Sequence, residues 1–216
     1  MRCLLVYPRF LSPSFWHYTD TCEIIGARAP TSPLGLVTVA AMLPEDWELR
    51  LVDRNIQPWD HDMLDWADIV LVGGMLAQQV DALDVLRTAR QRGKRVVVGG
   101  PDATSSPHVY AEADHLVLNE AELTLPPFLA DLEAETLQHI YASDEKADIA
   151  LSPCPRFDLL DFDKYLFLGV QWCRGCPFKC EFCDIIELFG RVPRAKSTEQ
   201  MLAEFQSLYD LGWRGV

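Results

Sequence analysis

The chain has 216 residues, 49% of them hydrophobic and 24% charged, which is enough to bury one full core and part of a second. Its net charge is −13, with 11 basic and 23 acidic residues up to Ala150 and 8 and 9 beyond it, so a nucleic-acid partner is not expected and the near-neutral tail reads as a different module. No apolar run reaches the roughly 18 residues of a membrane span; Ile69 to Leu76 is bounded by Asp68 and Gln78, no secretory signal follows Met1, and a globular cytoplasmic protein is expected.

Cys3-Leu4-Leu5-Val6-Tyr7, an apolar run ending at Pro8, predicts a strand buried on both faces of a parallel sheet. Ser32 and Pro33 read as an N-cap and first helical residue, with Leu36, Val37, Ala40, Ala41 and Leu43 on one face until Pro44. Leu49 to Asp53 gives a second strand, Met63 to Ala67 a helical turn, and Ile69 to Val72 a third strand. Val80, Leu83, Leu86 and Ala89 are spaced for a helix closed by Gly93, and Arg95 to Val98 is the fourth strand. Ser106-Pro107 starts a short helix, His115 to Leu118 is the fifth strand, and Leu125, Phe128, Leu129 and Leu132 mark a last amphipathic helix. This alternation predicts a doubly wound α/β domain over 1–134.

In such a sheet ligands gather outside the carboxyl ends of the strands, in the loops from Tyr7 to Leu11, Gly73 to Gln78, Gly99 to Ser106 and Asn119 to Glu122. Gly73-Gly74 and Gly99-Gly100 there either admit a large ligand or merely make tight strand-to-helix turns. No G-x-G-x-x-G and no phosphate-binding lysine loop is present, which argues against dinucleotides and nucleoside triphosphates.

Residues 135–156 read as a polar, irregular linker ended by Ser152-Pro153-Cys154-Pro155, and a second module is expected over 157–216. Tyr165 to Gln171 predicts a strand, Ser197-Thr198-Glu199-Gln200 is a capping box for a helix through Leu211 closed by Gly212, and Trp213 to Val216 leads toward another strand.

Between these elements stands Cys173-Arg174-Gly175-Cys176-Pro177-Phe178-Lys179-Cys180-Glu181-Phe182-Cys183. Its C-x-x-x-C-x-x-C core gathers three thiolates and leaves a metal cluster one protein ligand short, as a substrate-activating cluster requires and a carrier cluster does not. Zinc sites more often join two C-x-x-C pairs about 12 to 20 residues apart, and ferredoxin runs follow another order. Disulfides fit poorly with seven cysteines, and Cys3, Cys22 and Cys154 are expected to be ordinary buried or half-buried residues.

Gly175 to Ile186 resembles the cluster loop of the radical S-adenosylmethionine (SAM) superfamily. The resemblance implies that Cys176, Cys180 and Cys183 ligate a 4Fe-4S cluster, that the open iron chelates SAM, and that Phe182 helps to place the adenine. It further implies reductive cleavage of SAM to methionine and a 5′-deoxyadenosyl radical. Cys173 departs from the pattern and is read as a bystander, and Arg174, Lys179, Arg191, Arg194 and Lys196 are candidates to meet the carboxylate of SAM or else solvated cations.

The whole arrangement resembles the cobalamin-binding subgroup of that superfamily: a cobalamin-binding-like Rossmann domain followed by the first βα unit of a truncated partial barrel. Within that resemblance Gly99, Gly100 and Pro101 lie against the cobalamin tail, and Gly73, Gly74, Met75 and Leu76 take the place of the loop under the corrin ring. The D-x-H-x-x-G signature is absent; His17 lacks its aspartate and glycine and is not expected to bind cobalt. Asn119-Glu120-Ala121-Glu122 replaces a glycine–glutamate loop.

Asp184 to Arg194 resembles the branch that includes hopanoid methylases, which implies methyl transfer to an unactivated carbon of a small-molecule or lipid-like substrate, with an electron donor such as flavodoxin or ferredoxin. The chain is expected to be the N-terminal part of such an enzyme, with little turnover alone. Two other classes stay open: a ligand-binding module with a structural zinc, and an electron-transfer site.

Overall fold

In the computed structural model, which describes residues 1–11, 18–59 and 61–213, the first strand β1 (Arg2–Tyr7) sends Leu4 and Val6 into one core and Cys3 and Leu5 into another. A strand apolar on both faces belongs inside a parallel sheet covered by helices on both sides. The chain continues through α1 (Thr19–Ile25), β2 (Ala29–Thr31), α2 (Leu34–Ala40), β3 (Glu48–Asp53), α3 (His61–Trp66), β4 (Ile69–Gly73), α4 (Gln79–Gln91), β5 (Arg95–Gly99), α5 (Pro101–Ser105), β6 (His115–Val117), α6 (Ala121–Ala134) and β7 (Ile140–Tyr141). Six of these strands form one all-parallel sheet in the order β3-β1-β4-β5-β6-β7. The order reverses between β1 and β4, the switch point at which open α/β sheets bind ligands.

Helices α3, α4 and α5 cover one face through Leu64, Val85, Leu86 and Ala103. Among the described α-helices, α2 and α6 cover the other, through Leu36, Ala40, Leu125, Phe128 and Leu132. Two helices cannot span six strands, and a gap remains between them.

The C-terminal segment adds β8 (Tyr165–Phe167), β9 (Cys173–Arg174), α7 (Ile185–Phe189), β10 (Arg194–Ala195) and α8 (Thr198–Asp210). β8 pairs in parallel with β2, and Ala29 joins Phe157, Tyr165, Leu168 and Leu208 in a third core, so residues from the beginning of the chain complete the packing of its end. The capping box of α8 forms as expected: Gln200 N–H donates to Ser197 Oγ at 3.2 Å and Ser197 N–H to Gln200 Oε1 at 3.0 Å.

Several expectations need correction. Ser32 caps nothing, because Pro33 occupies the N-cap of α2 and has no side-chain donor or acceptor to offer the first turn. Val80 is 70% exposed; Leu86 and Ala89 of the expected stripe are buried, and Ala82 and Val85 complete the buried face of α4. The segment 135–156 contains β7, which pairs with β6 at the sheet edge. The strand expected over Tyr165 to Gln171 stops at Phe167, where its partner β2 also stops. Cys154 is exposed, whereas Cys3 and Cys22 are buried. His17 and residues 214–216 lie outside the described residues.

Candidate functional site: a cavity at the carboxyl ends of the sheet

The gap between α2 and α6 is a cavity of about 370 Å³, within the range of about 300 to 1,000 Å³ typical of small-molecule sites. Leu71, Val97 and Val117 of the sheet make its floor, Leu36, Val39 and Met42 one wall, and Leu125 the other. Gly73, Gly74, Met75, Gly99, Gly100 and Pro101, the residues expected at a cofactor site, form its rim. Leu76 is not brought there; it is 71% exposed on the 3₁₀ turn Leu76–Gln78 and absent from the lining. Among the described residues no histidine lines the cavity.

Gly99 of the rim is needed by the protein itself. A Cβ at Gly99 would sit 2.7 Å from the carbonyl oxygen of Val117, so the passage of β5 past β6 already excludes a side chain. Asn119 adopts φ 65°, the left-handed region in which glycine and asparagine are the least strained residues. Its backbone N–H donates to Thr104 Oγ1 at 2.9 Å. Asn119 thus makes a left-handed turn that a glycine would also accept.

Ser32, at 5% exposure, lines the cavity, and its Oγ is buried without a hydrogen-bond partner. A buried hydroxyl left unpaired is costly, and a ligand in the cavity would give it a partner.

The roof comes from the cysteine-rich region: Gln171, Arg174, Leu188 and Phe189. β9 and β10 pair antiparallel and close residues 175–193 into a loop, with Arg174 directly opposite Arg194. Both arginines reach back to the loop after β6. Arg194 Nη2 donates to Glu120 Oε1 at 2.7 Å and Nη1 to Glu120 Oε2 at 2.8 Å. Arg174 Nη1 donates to Glu120 Oε2 at 3.2 Å and to Glu122 Oε2 at 2.8 Å, while its Nε donates to Gln171 Oε1 at 2.7 Å. The glutamate side chains are 1–2% exposed and those of the arginines 10% and 17%. Burial pushes the Glu122 carboxyl up, but the hydrogen bond and charge of Arg174 outweigh it and hold the group below its ordinary value.

This network changes the expectation for the flanking bases. Arg174 and Arg194 are committed to the glutamates, and Lys196 to a buried pair with Glu204; only Lys179 and Arg191 remain exposed on the loop. Sequence reasoning missed the clamp because its partners lie 52 to 74 residues apart. The one available signal was the pair of carboxylates in Asn119-Glu120-Ala121-Glu122, placed where a strand meets a helix.

Within the loop, Gly175 has φ 92° and would place a Cβ 2.5 Å from Val192 O, so the stem closes only on glycine. Cys176 N–H donates to Gly190 O at 3.1 Å and Cys183 N–H to Cys180 O at 3.2 Å. Cys180 and Cys183 line a shallow open depression together with Phe182, which is 93% exposed. The thiols of Cys176, Cys180 and Cys183 share the loop without converging, and among the described residues no three His, Cys, Asp or Glu side chains are grouped to hold a metal. Leu188 is the loop's one deeply buried side chain, so its own packing does not draw the sulfurs together; a metal would contribute that closure itself. The donor set suits an iron–sulfur cluster, since three thiolates are soft ligands.

Residues 24–129 match the family model of the B12 binding domain. An uncharacterized methyltransferase of Synechocystis sp. is 48% identical over 216 residues, covering 99% of this chain and 40% of the relative. The hopanoid C-2 methylase of Rhodopseudomonas palustris is 34% identical over 220 residues, covering 99% and 41%. The chain thus spans about 40% of the length of the curated relatives it matches. Among solved structures, the radical SAM methyltransferase TsrM of Kitasatospora setae, with tryptophan substrate and a SAM analogue bound, superposes with a TM-score of 0.65 at 14% identity over 98% of this chain and 46% of that one. A second structure of TsrM, with cobalamin and a [4Fe-4S] cluster bound, gives 0.59. At that identity the likeness speaks for the fold. No helix among the described residues is long and apolar enough to cross a membrane.

Proposed function

We propose that the B12-binding domain this chain contains holds cobalamin against the cavity between α2 and α6, and that Cys176, Cys180 and Cys183 hold a 4Fe-4S cluster that binds SAM. The observation that carries this reading is the shared wall: Leu188 and Phe189 of the cysteine loop line the same cavity as Gly73, Gly99 and Gly100 of the sheet. A corrinoid is larger than the cavity, so only part of it would enter.

When bound, the cluster supplies the electron that cleaves SAM and cobalamin carries the methyl group. The chain's own residues bind and orient. The three cysteines would ligate as thiolates, and Phe182, exposed beside the last of them, offers a face for the adenine. Gly100 and Pro101 at the rim would lie against the corrinoid tail, and Ser32 Oγ in the lining would gain a polar partner from bound cobalamin. In the whole protein we read the reaction as methylation of an unactivated carbon in a small-molecule or lipid-like substrate, with reduction by a flavodoxin- or ferredoxin-like donor. The division into a cobalamin-binding part over 1–134, a connection over 135–156 that lends β7 to the sheet of the first part, and the start of a radical SAM module from 157 belongs to this reading.

The test is anaerobic reconstitution of the full chain with iron and sulfide, followed by gel filtration with hydroxocobalamin. Corrinoid absorbance should co-elute, and the reduced cluster's paramagnetic resonance should change when SAM is added. Alanine at Cys176, Cys180 or Cys183 should remove the cluster, and alanine at Cys173 should spare it. A colourless preparation, or a cluster that needs Cys173 and ignores SAM, would overturn the radical reading; failure of corrinoid to co-elute would overturn the cobalamin reading alone.

A further inference from the structure

We propose that Glu120 is a positioning residue that couples occupancy of the cavity to the shape of the cysteine loop. The inference rests on the cofactor assignments above and deepens them.

Glu120 is buried in the turn that follows β6, directly after the left-handed Asn119, and it lines the cavity. Its two carboxylate oxygens are both used. Oε1 takes one hydrogen bond from Arg194, and Oε2 takes one from Arg194 and one from Arg174. Those arginines are the cross-strand pair at the two ends of the loop 175–193. Side by side they repel; Glu120 is the anion that bridges the two, and Glu122 neutralises Arg174 further at 2.8 Å. Arg194 also donates to the carbonyls of Phe189 and Ala147, so the same side chain ties the stem to α7, whose Leu188 and Phe189 roof the cavity.

A ligand that reaches the roof of the cavity would settle against Glu120, Arg174 and the two residues of α7, which line it together. A shift of the Asn119-Glu120 turn pulls on both ends of the cysteine loop, and a loop drawn tight by bound metal pulls back on the turn. Coupling of this kind is reciprocal in free energy. A merely structural salt bridge would weaken each binding event alone and leave their ratio unchanged.

The test measures hydroxocobalamin affinity of the full chain by equilibrium filtration, with and without the reconstituted cluster. The wild type should show at least about a fivefold difference between the two states, and the reduced cluster's resonance should shift when hydroxocobalamin is added. In Glu120→Gln, which keeps an acceptor but loses the charge, both cofactors should still bind, the affinities with and without cluster should agree within about 1.5-fold, and the resonance should no longer respond. Arg194→Lys, which keeps the charge but not the fork, should reduce the ratio in the same direction and carries the test if the glutamine variant does not fold. A wild type that binds both groups with no difference between states, or variants that keep the full ratio, would overturn the coupling and leave the cofactor assignments standing. Absence of corrinoid binding altogether would remove those assignments and the coupling with them.

Discussion

Arg174 and Arg194 face one another across the antiparallel stem of the cysteine loop, two cations in register. Like charges directly opposite destabilise a strand pair. The pair persists because Glu120 accepts from both, at 2.7 and 2.8 Å from Arg194 and 3.2 Å from Arg174, with its side chain 1% exposed.

Removing that carboxylate should be far more damaging than removing an exposed one. Glu120→Ala takes the carboxylate from Arg194 in a largely buried place and leaves Arg174 to Glu122 alone, a loss at most of the class worth about 3 to 5 kcal/mol. Glu112→Ala breaks only the Arg87 pair, in which both side chains are 56% exposed, and should cost less than about 1 kcal/mol. Urea unfolding of the two variants compares them; equal losses would mean that the clamp contributes no more than a surface contact.

Gly99 and Gly73 are both rim glycines, and they should respond differently to alanine. At Gly99 the new Cβ would meet the backbone carbonyl of Val117 at 2.7 Å, and neither strand can give way without loss of ladder bonds. Overpacking of this kind costs about 1 to 3 kcal/mol. At Gly73 the nearest atom is Cδ2 of Leu36 at 3.2 Å, the end of a flexible side chain, and the cost should stay below about 1 kcal/mol. Thermal unfolding of the two variants decides it, and a Gly99→Ala protein as stable as Gly73→Ala would show that the β5–β6 approach is looser than it stands.

The central strands were legible because each is apolar on both faces, a pattern that only a covered parallel sheet satisfies. β2 and β7 were not. Ala29-Pro30-Thr31 and Ile140-Tyr141 carry no alternation of their own, and each is a strand only because Tyr165 or Leu116 offers it a partner. On α4, Leu86 and Ala89 of the expected stripe are buried and Leu83 packs on the same core, but Val80, one turn nearer the helix start, faces solvent, and Ala82 and Val85 widen the buried face. The rim of the cavity was legible from strand ends and glycines, but the roof was not. Local spacing carries no information on how residues 171–189 fold back over Glu120 and Glu122.

Ser32 links the cavity's chemistry to its stability. Its Oγ is buried and unpaired, a burden of about 1 to 3 kcal/mol that an alanine does not carry. Ser32→Ala should therefore leave the cofactor-free chain as stable as wild type or more so, while weakening hydroxocobalamin binding. Thermal unfolding without corrinoid and equilibrium filtration with it give the two signs. If the variant is destabilised without corrinoid, the hydroxyl already has a partner in the free protein, and if the affinity is unchanged, it does not meet the ligand.

Asp53 ends β3 inside the protein at 1% exposure. Its Oδ1 accepts from Asn55 N and Nδ2 at 2.8 and 2.7 Å, and its Oδ2 accepts from the Tyr165 hydroxyl at 3.0 Å, which ties the sheet to β8. Burial raises the carboxyl above its ordinary value near 3.8 despite these donors, and burial together with the aspartate's charge raises the Tyr165 phenol. A raised folded value means that the fold favours the protonated acid. The contribution of Asp53 is then fully favourable below pH 3.8 and is lost as pH rises through the folded value. An asparagine in its place would keep the Oδ1 acceptor and could donate to the Tyr165 oxygen without carrying a charge. The stability of Asp53→Asn relative to wild type should accordingly rise with pH above 3.8 and level off once the wild-type carboxyl is fully ionised. Urea midpoints taken at intervals from about pH 3.5 to about pH 8, roughly two points per unit, follow this difference. A difference that shrinks as pH rises would mean that the ionised carboxylate is the form the fold prefers, and that the three hydrogen bonds outweigh its burial.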